Sequence, residues 1–372
     1  LPPCSTTRTD AADAQPDVPA EGTLTTACRR LLLAVGLCVL ALAGGGIVLP
    51  PVQAADRKLE PERAETAAMT IFAKTIETFR FGSDQTIFGK LQFVGGLDLT
   101  SDNALFGAFS SIRFRPDGEH FVGVLDTAHW LEGRIERDAG GRLSGLADVT
   151  VTSMTDRRGR AESAKARMDS EGLALRDGQV LVSFEGDARV DIYPDPGFAH
   201  SRPLRTLPIL IPKGRLKNNR SLEMVAVSPK ASPLAGAPVI VAELSFDKDD
   251  HLLAAVLEGP RKGVFGVVQK DPFAVTDGAF LPNGDLLLLE RRFSFATGLG
   301  MEIRRIKADD IRPGAVVDGE VLMAADLGYQ IDNMEGLDVV TQPNGDIHLI
   351  LVSDDNHSIL ERSLMLEFKL LP

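Results

Sequence analysis

The chain has 372 residues, enough for one large domain or two ordinary ones, and its 44% apolar content can fill a sizeable core. The formal net charge of −12 argues against a nucleic-acid partner and against binding to acidic lipid. It leaves small-molecule chemistry open.

Residues 1–27 are polar and rich in Thr, Asp, Ala and Pro, a composition that does not build a core. Arg29 and Arg30 then precede an apolar run from Leu31 to Leu49, a Pro50-Pro51 break and the sequence Val52-Gln53-Ala54. A basic n-region, an apolar h-region and a small-residue site predict a secretory signal peptide, cut after Ala54. The alternative is an uncleaved anchor, which Gly36 and Gly44 to Gly46 weaken. The arginine pair is compatible with twin-arginine export. Cys4, Cys28 and Cys38 all precede the cut, so the mature chain is expected to lack disulfides, thiolate zinc sites and a cysteine nucleophile. The expected location is the periplasm or the medium, with no membrane attachment after cleavage.

Residues 55–68 read as a charged, Ala-rich linker, and 69–372 as one domain. After Met69 helix signals nearly vanish. Short apolar runs alternate with turns: Pro116-Asp117-Gly118, Gly140-Gly141, Asp177-Gly178, Pro282-Asn283-Gly284 and Pro343-Asn344-Gly345. Asn-Gly and Asp-Gly supply the positive φ angles that tight hairpins need, so the fold class is all-β and antiparallel. The segments 111–126, 173–185, 279–290 and 340–352 repeat the order strand, turn, strand. Their first strands begin near 110, 171, 223, 277 and 335, a period of about 50–60 residues. Such a period without helices predicts a β-propeller of five or six four-stranded blades. The last repeat holds three strands, so an N-terminal strand is expected to close the ring. The candidates are 69–79 and 91–99, and 80–109 could begin a sixth blade. The alternative is one or two β-sandwiches.

In a propeller the first strand of each blade lines the channel, and its start lies at one mouth. Glu171, Glu223, Asp277 and Glu335 hold similar places in their repeats, with Ser110 or Ser111 in the first. Their carboxylates are expected to converge and repel one another unless something positive sits among them. Calcium suits such a set, since it takes six to eight oxygen ligands and needs neither Cys nor His. Alternatively each acid pairs with backbone or with an arginine. In an antiparallel hairpin the end of the second strand returns to the same mouth. That adds Asp126, His129 and Trp130, then Glu185 and Asp187, then Glu290, Arg291 and Arg292, and finally Asp354, Asp355, Asn356 and His357. Glu171, Glu223, Asp277, Glu335, Asp354 and Asp355 are therefore the candidate metal ligands. Arg291 and Arg292 are candidates to grip an anion, and His129 and His357 are candidate proton donors. A G-x-S-x-G elbow, H-E-x-x-H and a Walker A loop are all missing, which argues against an α/β-hydrolase, a zincin and a P-loop enzyme.

The segments FGKLQFVGGLDLTS (88–101), VLDTAHWLEGRI (124–135), DSEGLAL (169–175), SLEMVAVSP (221–229), DGAFLPNGDLLLLERRFS (277–294), NMEGLDVV (333–340) and SDDNHSILERSLMLEF (353–368) span nearly the whole mature chain. In these the chain resembles the phytase-like family named for the "esterase-like activity of phytase", exported bacterial propellers. The resemblance implies ester or phosphoester hydrolysis, by analogy with calcium-dependent propeller phytases. Two functions are expected to compete. One is a cation-assisted hydrolase of a small anionic ester or phosphoester. The other is a non-catalytic propeller that binds a ligand or an envelope protein at the same mouth.

Overall fold

The hairpin turns set the frame. At Leu281–Asp285 the Leu281 N–H donates to the Asp285 carbonyl at 2.8 Å and the Gly284 N–H donates back to Leu281, with Gly284 at φ 93°. The turn at 342–346 repeats both bonds, with Gly345 at φ 87°. A side chain disfavours that left-handed backbone, so glycine stands in both. The computed structural model describes residues 64–161, 168–218, 220–294 and 298–372. The expected signal peptide and its expected cleavage site lie outside the described residues.

Five sheets result. Counted from the axis outward, the first holds Phe109–Phe114, His120–Leu125, His129–Arg137 and Leu143–Ser153. The second holds Ser170–Arg176, Gln179–Phe184, Arg189–Pro194 and Arg205–Leu207. The third holds Met224–Val227, Pro238–Phe246, His251–Val256 and Gly263–Val268, with Val316–Val317 added in parallel at its edge. The fourth holds Ala274–Phe280, Leu286–Ser294, Gly298–Ile306 and Glu320–Asp326. The fifth holds Asn333–Thr341, Ile347–Asp354 and Ser363–Leu370, then Leu91–Thr100 and Phe72–Ile76. Each inner strand packs on the next, and the fifth packs back on the first. The fold is a five-bladed propeller. Among the described residues helical structure is slight, chiefly 3-10 turns, and no helix is long and apolar enough to cross a membrane.

Both N-terminal candidates close the ring. Leu91–Thr100 pairs antiparallel with Ser363–Leu370, and Phe72–Ile76 pairs with the outer side of Leu91–Thr100. Within residues 80–109, the strand Leu91–Thr100 belongs to the fifth blade and Phe109 begins the first, so this stretch forms no sixth. The linker reading also shortens. Thr66–Ala68 pairs with Thr150–Thr152 as an outermost strand of the first blade, and the Thr66 and Thr152 hydroxyls lie 2.8 Å apart.

Stacking of blades explains the unbroken apolar runs. In Leu286–Leu289, Leu286 and Leu288 join the core against the third blade, while Leu287 and Leu289 join the core against the fifth. Leu349 and Leu351 likewise face the fourth blade, and Ile350 and Val352 the first. A strand buried on both faces loses the polar alternation of a half-exposed one. Each fully buried Leu contributes about 1.5–3 kcal/mol, so the inter-blade faces dominate stability.

Candidate functional site

The inner strands are kinked at their starts. In the first blade Phe109 and Ser111 oppose consecutive residues Leu125 and Val124, which leaves Ser110 extra. In the fifth, Met334 and Gly336 oppose Ser353 and Val352, which leaves Glu335 extra. The second blade has the same irregularity at Glu171-Gly172, and the fourth at Thr276. A bulge of this kind re-aims one side chain away from the ladder. It turns Ser110, Glu171 and Glu335 into a cavity of about 900 Å³, where Glu223, just ahead of its strand, joins them.

Asp277 does not belong to that set. The bulge in the fourth blade falls on Thr276, so Asp277 aligns with Gly336 and Gly172 rather than with Glu335 and Glu171. A one-residue slip sends a strand side chain to the opposite face. Asp277 points into the channel, fully buried, and its two oxygens meet Arg113 Nη1 at 2.9 Å and Nη2 at 2.8 Å. It also accepts from the Ser111 hydroxyl at 2.8 Å and the Leu337 N–H at 3.0 Å. The same guanidinium donates to the carbonyls of Ile112, Leu337, Gly278 and Val225. One ion pair thus ties blades one, three, four and five together below the mouth.

The ends of the second strands do return to the mouth. Asp126, Glu185, Arg291, Asp354 and Asn356 line the cavity. Four acids from other positions also line it, Asp169, Glu243, Asp332 and Glu361, and the first two join the cluster. Asp169 lies two residues before Glu171, and strand periodicity puts both on one face. Glu243 sits where Pro238–Phe246 departs from its ladder between Val241 and Phe246, and its N–H donates to the Ser221 carbonyl at 3.0 Å. A lone acid in the apolar stretch PVIVAELSF is the signal that marked it.

The oxygens of Asp169, Glu171 and Glu185 lie within 4.8 Å of one another, and so do those of Glu185, Glu223 and Glu243. Glu185 is shared, and its Oε1 accepts the Ser221 N–H at 3.0 Å. Among the described residues, the basic side chains that line the cavity are Arg291 and Arg362. Arg291 Nε lies 3.0 Å from Glu335 Oε1. Crowding shows in the protonation equilibria. Burial, then Asp169, Glu185 and Glu335, hold the Glu171 carboxyl well above the usual carboxylate range. Burial, then Glu171 and Glu243, do the same to Glu223. Burial pushes Glu335 up to about 7 even with Arg291 pulling it down. Asp354 is also pushed up to about 7 by burial, against the Asn356 N–H that its Oδ1 accepts at 2.7 Å.

Against this geometry, the family model for "Phytase-like: Esterase-like activity of phytase" matches residues 104–357. The chain belongs to this family. The match takes in the inner strands of all five blades and most of the acids of the mouth. No curated protein sequence matches the phytase-like chain. Among solved structures, similarity is found to the PQQ-bound aldose sugar dehydrogenase of Streptomyces coelicolor, at 12% identity and a TM-score of 0.36 over 83% of this chain and 99% of that one. A putative oxidoreductase (glucose dehydrogenase) from Thermus thermophilus matches at 13% identity and TM-score 0.31, over 79% and 100%. U3-55K matches at 9% and 0.37, over 70% and 95%. At these scores they carry no argument about the site.

The other expected residues of the phytase-like chain fall elsewhere. His129 is partly buried beside the cavity rather than in it, with Nδ1 3.1 Å from the Thr127 hydroxyl and Nε2 3.3 Å from the Ser153 hydroxyl. Burial lowers its pKa. His357 is exposed in a left-handed loop position, φ 50°, and does not line the cavity. Arg292 points to the other face of its strand from Arg291 and lies over the Phe273 ring, 5.6 Å from its centroid. Asp355 turns away to accept the His357 N–H and the Ser363 hydroxyl. Glu290 is buried in a pair with Arg304. Alternation accounts for Glu290 and Arg292, which flank Arg291 in one strand and so point to its other face.

Proposed function

We propose that this phytase-like propeller is an exported hydrolase of small anionic esters or phosphoesters, and that its mouth binds a divalent cation. The observation that supports this best is the pair of three-acid groups joined at Glu185. The donors are all carboxylate oxygens on loops and bulges, which suits the flexible, oxygen-rich shell of calcium better than the tight octahedron of magnesium. Asp169, Glu171, Glu185, Glu223 and Glu243 would hold the ion, which when bound supplies Lewis acidity toward a carbonyl or phosphoryl oxygen. Arg291 orients the substrate's anionic group, and Glu335 holds the guanidinium in place. Asp354, raised toward neutrality, serves as the proton donor in place of the two histidines. The leader sequence supports export to the periplasm.

Purified protein is expected to turn over p-nitrophenyl phosphate or p-nitrophenyl butyrate with calcium present and to lose that activity in EDTA. Glu185→Gln should abolish turnover and also the calcium-dependent rise in melting temperature. That rise corresponds to about 2.7 kcal/mol at free calcium 100 times Kd. The substituted amide still accepts the Ser221 N–H, so the metal-free variant should melt no lower than the parent. Calcium-dependent melting without turnover on either substrate would sink the hydrolase and leave a non-catalytic binding propeller.

A further inference from the structure

The cavity is two-sided. Its acids come from blades one to three and from the inner part of blade five. The opposite wall comes from the outer parts of blades four and five, and it carries bulky apolar side chains bordered by Asp332, Glu361 and Arg362. Phe81, Phe293, Leu327 and Leu360 line it while being 53%, 63%, 61% and 88% exposed. Tyr329, half-buried against Phe79 with ring centroids 5.1 Å apart, backs this wall together with Ile331. Among the described residues, other exposed large apolar side chains such as Phe72, Ile87 and Leu204 lie outside the cavity. Single exposed apolar residues are ordinary, but four that converge on a concave surface beside a polar cluster mark a binding wall.

The chain segments argue the same way. Phe81 stands in the loop that follows Phe72–Ile76, Leu327 follows the outer strand Glu320–Asp326, and Leu360 lies in the loop between Ile347–Asp354 and Ser363–Leu370. Three unrelated loops thus present bulky apolar groups to one space, where water-facing loops ordinarily carry polar residues. The wall is continuous with the acidic cluster and Arg291, so an occupant must have a polar head and an apolar body. A highly charged, wholly polar polyphosphate would leave the wall wet.

We propose that the substrate is amphiphilic: an ester or phosphoester head at the acids and Arg291, and an aliphatic or aromatic group laid over Phe81, Phe293, Leu327 and Leu360. This rests on reading the site as hydrolytic, but its apolar half can be tested without turnover. Calorimetric titration of two non-hydrolysable series, n-alkyl phosphonates with calcium and n-alkanols, should show Kd tightening with chain length. Each added methylene should gain up to about fourfold until the wall is covered. The double variant Phe81→Ser/Leu327→Ser, at exposed positions that leave the core alone, should flatten that slope in both series. The alkanols need no cation, so a length-dependent slope without any hydrolysis would support the apolar wall and count only against the enzyme reading. Hydrolysis of esters with equal KM from acetate to decanoate, or a slope that survives in the double variant, would overturn the inference.

Discussion

Asp277 and Glu335 stand near the starts of corresponding inner strands of adjacent blades, yet one has a guanidinium to itself and the other shares one with further acids. Below the mouth, Asp277 gives both oxygens to Arg113, takes a hydroxyl and a backbone N–H besides, and is sealed from water. At the mouth, Glu335 shares Arg291 with nearby Glu243 and Glu223, and burial, then neighbouring acid charges, push Glu171 and Glu223 up. A buried carboxylate with its own guanidinium is structure. A group of carboxylates with too few cations is a site that stores unfavourable charge until something positive arrives. Strand register, shifted by one residue at the bulge, decides which of the two each acid becomes.

The strongest way to break this contrast is to remove the counter-charge in the channel. Arg113→Met leaves Asp277 buried and uncompensated, and it strips a donor from the carbonyls of Val225, Gly278 and Leu337. The expected loss is about 3–5 kcal/mol, read by urea denaturation. The double variant Arg113→Met/Asp277→Leu should recover part of it and no more, because the carbonyls stay unsatisfied. A loss under about 1 kcal/mol for the single variant would mean that the channel pair is not what joins the blades.

A smaller effect should appear with pH at the mouth. Glu335 and Asp354 have folded values of about 7, above their ordinary ones of 4.5 and 3.8. A raised carboxyl favours the folded state while it is protonated, so its contribution is complete below about pH 4 and is lost as pH rises through 7. In metal-free protein, melting temperature should therefore fall between pH 5 and pH 8, by several degrees. Calcium should reverse the fall, with its largest stabilisation at the alkaline end, where the acids are ionised. A metal-free melting temperature that rises steadily over that interval would show that the mouth acids are already neutralised.

Much of this was legible beforehand, and the residues show why. Hairpin turns such as Pro282-Asn283-Gly284 announce themselves through backbone chemistry that few residues can satisfy. The repeat order then follows, and with it the ring and its closure by Leu91–Thr100. Glu171, Glu223 and Glu335 could be found because each keeps one place in its repeat. Asp277 misled because TDGAF and MEGLDVV align by eye on the glycine, one residue away from the alignment the ladder uses, and a bulge leaves no mark in composition. Arg113 was invisible for another reason. Its partners are carbonyls and an acid on three other blades, and no local pattern encodes a contact across the axis. The apolar wall was hidden likewise, since Phe81 and Leu327 meet only in space.

The weakest expected effect sharpens the comparison from its outer edge. His129 and His357 were attractive because imidazole titrates near neutrality, but neither lines the cavity. His357 is exposed and its ring carries no part of the core, so His357→Ala should shift stability by less than about 0.5 kcal/mol. His129 is half-buried between Thr127 and Ser153, and His129→Gln should cost about 1 kcal/mol through those bonds. Neither change should move the pH profile of turnover if, as proposed, the proton donor is Asp354, whose carboxyl burial pushes up to about 7. A profile whose acidic or alkaline limb shifts by a full unit in either histidine variant would return proton transfer to imidazole and take it away from Asp354.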